Sequence, residues 1–201
     1  MNDSSRTLET GGVVILITAL VYVGGWSYAY HWYAYFELGL ISLDIPLEHY
    51  FIYSFLMLMS DLWLALLIAL VLILTLVAMV FWTRVRLILV LTLPLWVLLA
   101  FLLVYSLGKL AADADYREHQ ASGFQSYSWV RVWIKPDSDD LPPKLQKVRQ
   151  DLADGKYRLL LETVHSLYLI RPNQDGGQIP TLQVQRDQVR AMRRIPTNPG
   201  S

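Results

Sequence analysis

The chain has 201 residues, 54% of them hydrophobic and 17% charged, with a mean hydropathy of +0.35 and equal numbers of acidic and basic side chains. It is too apolar for an ordinary soluble domain, and its charge is divided: residues 1–108 carry three basic and six acidic groups, and residues 109–201 fourteen and eleven. The absence of cysteine excludes a disulfide-stapled secreted fold, thiolate catalysis and Cys-ligated zinc, and so mild a basic surplus excludes a nucleic-acid binder's dense basic stripe.

In chain order, residues 1–10 carry Asp3 and Glu9 beside Arg6, and no small-x-small cleavage site follows, so the N-terminus reads as a retained anchor. Residues 12–30 are uncharged and form the first expected span. Its end is rich in rings, from Tyr22 and Trp26 through Tyr28, Tyr30, Trp32, Tyr33, Tyr35 and Phe36. Amphipathic rings concentrate at headgroup depth, so the cluster reads as an interfacial belt, with a ligand cage or partner face around His31 as the alternative. Gly25 and Ala29 are four apart, a spacing that admits a second helix closely. The loop 37–49 has Glu37, Asp44 and Glu48 but no lysine or arginine, and Leu43-Asp44-Ile45-Pro46 signals a turn.

Residues 51–60 are again apolar, so a second helix either runs unbroken to residue 82 or bends before Asp61. Residues 62–82 and 87–107 are uncharged runs, each long enough as a helix to cross about 30 Å of hydrocarbon, and Thr83-Arg84-Val85-Arg86 is the expected loop between them. Irregular backbone is not satisfied in lipid, which leaves helix as the form for such runs. Asp61 sits at the boundary, or is a functional acid if the register slides inward; Pro94 is an expected kink with Thr92 near enough to help the freed backbone. Arg6, Arg84 and Arg86, against a loop 37–49 without lysine or arginine, place the N-terminus in the cytoplasm and the C-terminal part outside, with Lys109 weighing the other way.

Residues 109–126 read as a helical linker and residues 127–195 as an α+β module. Residues 127–134 alternate: Val130, Val132 and Ile134 point one way, and Tyr127, Trp129, Arg131 and Trp133 the other. Arg131 between two indoles suits cation–π contact, and this second face is a candidate contact for lipid headgroups or a protein partner; a sheet covered on both faces is the alternative. Asp140 is the expected cap of a short helix with Pro142 and Pro143 in its first turn, an apolar stripe of Leu141, Leu145, Val148 and Leu152, and Gly155 at its end. A hairpin over 157–164 and 167–171, turning at His165-Ser166, precedes the loop 172–177 and strands at 181–185 and 189–195. Residues 196–201 read as a disordered tail. The expected whole is a membrane α-helical protein with three transmembrane helices and a small C-terminal α+β module built on an antiparallel sheet.

Chemistry is sparse. His31, His49, His119 and His165 stand singly, Asp137, Asp139 and Asp140 lack the glycine and distal glutamate of a calcium loop, and Gly176-Gly177 lacks a following Lys-Ser/Thr. No catalytic, cofactor-binding or metal residue is assigned, and an enzyme is not expected. Arg190, Arg193 and Arg194 form a basic end suited to weak contact with anionic lipid.

The stretch from Gly25-Trp26-Ser27-Tyr28 through Leu43-Asp44-Ile45-Pro46, followed by further apolar runs, resembles small bacterial inner-membrane proteins. The resemblance covers the first half and implies a bacterial inner-membrane location without supplying any catalytic residue. The expected function is a non-enzymatic membrane protein displaying a partner-binding or sensing module through Trp129, Arg131 and Trp133. The alternative is a pore, transporter subunit or immunity-type protein acting through Asp61 and Pro94. Expected partners are membrane lipid and a protein partner or second copy, with no nucleic acid.

Overall fold

The computed structural model describes residues 3–60, 83–135, 142–172 and 179–195. The expected span 62–82 with Asp61, the acidic loop with Asp140, the loop glycines Gly176 and Gly177 and the tail 196–201 lie outside the described residues. The chain divides into two compact units, one of Met1–Trp32 with Pro46–Asp115, the other of Tyr33–Ile45 with Tyr116–Ser201.

In the first unit lie helix α1 (Asp3–Ala34), helix α2 (Leu47–Ser60) and most of helix α3 (Thr83–Ala121). Two stretches, Gly11–Ala34 and Pro94–Ala121, are long and apolar enough to cross a membrane. A third crossing is not supported among the described residues. Thr83-Arg84-Val85-Arg86, expected as an inter-helix loop, is helical, the first described turn of α3. The four contain no glycine or proline, and arginine favours helix, so nothing local breaks the run. Pro94 lies within α3, and the helix continues through the polar stretch expected to be a linker, ending at Ala121.

In this unit many large apolar side chains face outward, while small residues are buried together with Tyr28, Trp32, Met57 and Leu107. Ile15, Phe55, Leu95, Trp96 and Leu102 are exposed, whereas Ser27, Ala29, Ser54 and Ala112 are fully buried. Small residues inside and large apolar ones outside is the arrangement in which helices pack within hydrocarbon, where close backbone approach rather than water exclusion drives association. A Cβ placed on Gly25 meets the Tyr50 carbonyl oxygen at 1.7 Å, and one on Gly108 meets Ser27 Cβ at 2.7 Å, so α2 and α3 both lie against α1 at positions only glycine permits. Hydroxyls join the same contacts: Ser54 donates to the Val21 carbonyl, Ser27 to the Tyr105 carbonyl at 2.6 Å, and Tyr28 to Asp115 Oδ2 at 2.7 Å.

The second unit carries a five-stranded antiparallel sheet in the order β4-β3-β2-β1-β5, with β1 Trp129–Ile134, β2 Tyr157–Glu162, β3 Ser166–Ile170, β4 Thr181–Gln185 and β5 Val189–Ile195. Helix α4 (Pro143–Asp154) follows β1, with Pro142 in the N-cap position making no side-chain cap, and stops at Gly155, whose φ of 80° is the left-handed conformation glycine adopts freely. One sheet face packs with α4 around Val130, Val132, Leu152, Leu167, Leu169 and Val184. The turn between β2 and β3 falls at 163–165, one residue before the expected place, because the Thr163 hydroxyl and amide both bond Ser166 and draw it into β3.

Strand β3 is buried along its whole length, so the second sheet face is also covered there. The segment Tyr33–Ile45 belongs to this unit: Phe36, Leu40 and Leu43 are buried, Phe36 packs edge-on to Tyr116 and Phe124, and Thr181 donates to the Phe36 carbonyl at 3.1 Å. The 3₁₀ turn Leu40–Leu43 ends at Asp44 in the left-handed conformation, φ 48°, which seats the predicted Leu-Asp-Ile-Pro turn.

Candidate docking face

The alternation of β1 places Trp129, Arg131 and Trp133 on one face, as the residue spacing dictates. Their surroundings differ. Trp129 is half-buried, and the guanidinium over its ring, 4.1 Å from the centroid, is that of Arg158 on β2. Arg158 is almost fully buried and donates to the Tyr127 carbonyl at 2.5 Å and the Gln125 carbonyl at 3.4 Å, while its Nε has no partner. Burial pulls its pKa down from the ordinary arginine value. The register puts Arg158 opposite Trp129 in the antiparallel pair, so the cation–π contact runs across strands and not along β1 as expected.

Arg131 is exposed, its Cγ lying 3.0 Å from where a Cβ on Gly155 would stand, and Trp133 is 39% exposed. Across the β1–β5 ladder, Arg131 is directly opposite Arg193 and Trp133 opposite Ala191, both partners also exposed. The patch therefore presents an indole beside two juxtaposed guanidiniums. Like charges directly opposite in a sheet repel, and neither has a carboxylate partner among the described residues. Two of the module's acids are engaged elsewhere: Glu162 holds Arg186 at 3.2 Å and also Arg194, and buried Asp151 holds Lys156 at 2.6 Å and Arg171 at 3.2 Å. The Lys156 hydrogen bond, with Arg171 and Lys147 nearby, keeps the Asp151 carboxyl below the usual carboxylate range, and Lys156 is raised in turn.

The aromatic run of α1 is used in packing. Tyr28 stacks on Trp32 and Tyr53, Tyr22 meets Tyr50 edge-on at 5.5 Å, and His31 Nδ1 donates to the Ser27 carbonyl at 2.8 Å with its ring edge-on to Tyr105. Among the described residues no cluster of three or more potential metal ligands occurs.

No family model, curated protein or solved structure matches the chain. What the chain can do is thus read from its own surfaces. The structure brings Trp133, Arg131 and Arg193 together on the outer side of β1 and β5, withdraws Trp129 under Arg158, and leaves Pro94 inside α3 with its ring exposed. The buried Arg158 was not singled out in the sequence, since nothing in Tyr-Arg-Leu-Leu-Leu separates a buried arginine from an exposed one. Its position one residue into a strand whose neighbours are all apolar is the available hint.

Proposed function

We propose that the chain is a non-enzymatic integral membrane protein whose helices anchor a small docking module. The observation that carries this reading is the exposed Trp133 beside the cross-strand pair Arg131 and Arg193, cations without carboxylate partners among the described residues. An indole supplies contact area and the paired guanidiniums favour acidic groups, so the partner presents an acidic surface with an apolar centre. The anchor is supported by two candidate spans and by helices that bury small residues while exposing large apolar ones.

The resemblance of the first half to bacterial inner-membrane proteins and the distribution of lysine and arginine support that membrane, with the N-terminus cytoplasmic and the module periplasmic. This topology requires residues 62–82 as a third crossing, a role their uncharged sequence suits. A photoreactive amino acid at Ala191, opposite Trp133, should crosslink a partner in intact cells, and Trp133→Ala with Arg131→Ala should abolish the adduct. An adduct unaffected by both substitutions, or none at any exposed β5 position, refutes the docking face.

A further inference from the structure

Two cavities lie beside α4 and β1 and share Ile134 and Arg149 in their walls. One, of about 460 Å³, is lined by Trp133, Ala153, Ala191, Arg149 and Arg190, and among the described residues no acid lines it. Arg190 enters because the β1–β5 register shifts between Trp133 and Ile134: Trp133 pairs Ala191 and Ile134 pairs Val189, which leaves Arg190 as the extra residue of a bulge. Bulges re-aim side chains, and here the outcome is a second guanidinium on the cavity that α4 supplies with Arg149. Neither arginine makes an ion pair among the described residues. The adjoining cavity, of about 520 Å³, is walled by Leu145, Val148, Leu182 and Val184, with Asp187 and Lys135 also in its lining.

A cationic chamber opening beside an apolar one is matched by a ligand with an anionic end and a hydrocarbon end. The geometry points to a binding site for a single-chain anionic amphiphile, its phosphate or carboxylate held between Arg149 and Arg190 against Trp133, and its alkyl chain lying along Val148, Leu182 and Val184. Each chamber falls within the size range of small-molecule sites. Arginine suits the role because its planar fork takes two oxygens of one anion at once. The site shares Trp133 and Ala191 with the docking face but draws on different cations, Arg149 and Arg190 here against Arg131 and Arg193 there.

The test uses the full-length protein in nanodiscs of phosphatidylcholine alone and a diazirine-bearing dodecyl phosphate, with crosslinked peptides mapped by mass spectrometry. Saturable labelling of residues on α4 and β4 is expected, displaced by dodecyl phosphate and about tenfold less well by dodecanol, which lacks the charge. Arg149→Gln and Arg190→Gln should each weaken labelling about tenfold; Arg190 is exposed, so its replacement separates loss of binding from loss of folding. Val148→Trp, which fills the apolar chamber, should block labelling while leaving any adduct at Ala191 intact. Displacement by inorganic phosphate as effective as by dodecyl phosphate would show an anion site without the hydrocarbon half, and labelling insensitive to both arginines would show simple partition into the module's core; either result overturns the assignment.

Discussion

Replacing Gly25 by alanine should separate α2 from α1. The added Cβ would stand 1.7 Å from the Tyr50 carbonyl oxygen, 2.6 Å from its carbon and 2.7 Å from Ser54 Oγ. The first two are backbone atoms, so no rotamer change relieves the clash, and the helices must part by roughly 1.5 Å to reach ordinary contact distance. The shift also strains the Ser54 bond to the Val21 carbonyl and the Tyr22–Tyr50 ring contact. Overpacking of this kind costs about 1–3 kcal/mol, and the upper end applies because backbone is the obstacle. The glycines provide an internal scale. Gly108→Ala meets Ser27 Cβ at 2.7 Å and the Gly24 carbonyl at 2.8 Å and should cost less; Gly24→Ala meets the Met57 side-chain end at 3.1 Å and less still; Gly11→Ala meets nothing within 4 Å and should be neutral. Thermal unfolding of the full-length protein in bilayer discs, read for the four variants side by side, should give that order. Gly25→Ala as stable as Gly11→Ala would refute the close approach of α1 and α2.

Three further outcomes concern the module. Asp151 has its pKa lowered in the folded state, so its contribution is complete above the unfolded carboxylate value near ~4 and is lost as pH falls through the lower folded value. Protection factors of α4 and β2 amides, taken against the intrinsic exchange rate at each pH, should fall below about pH 4 in the wild type, and Asp151→Asn should show lower protection at neutral pH and a flatter profile across that window; equal acid sensitivity in both would contradict the cluster's role. Leu152→Ala removes a fully buried side chain where α4 meets the sheet and should destabilise by about 2–5 kcal/mol in the same exchange experiment. Gly155→Val forces a β-branched residue to φ 80° with its Cβ 3.0 Å from Arg131 Cγ, and should cost more than about 1 kcal/mol; a neutral result would exclude the left-handed helix stop.

Much of the fold is legible because periodicity is a local signal. Alternation in residues 129–134, the Pro142-Pro143 start and the Gly155 stop each fix an element from its own residues, and the strands at 181–185 and 189–195 fall where their β-branched and apolar runs place them. Gly25, one half of the Gly25 and Ala29 spacing, likewise marks the helix contact that α2 makes. Legibility ends where pairing between distant segments decides. Thr83 to Arg86 look like a loop only because they carry charge between apolar runs, and charge does not end a helix. That Phe36 belongs with Phe124 and Thr181 follows from contacts far apart in sequence. The partner of Trp129 is a cross-strand arginine rather than its neighbour in β1, and Arg190 reaches a cavity through a bulge, a feature without a sequence signature here.

The most direct test of an anchored, outward-facing module uses the absence of cysteine. Gln150→Cys places a single thiol at an exposed position of α4. A membrane-impermeant maleimide should label it in intact cells, and the labelled protein should stay in the membrane fraction through alkaline carbonate extraction. Labelling only after lysis would put the module in the cytoplasm, and release by carbonate would deny the anchor altogether.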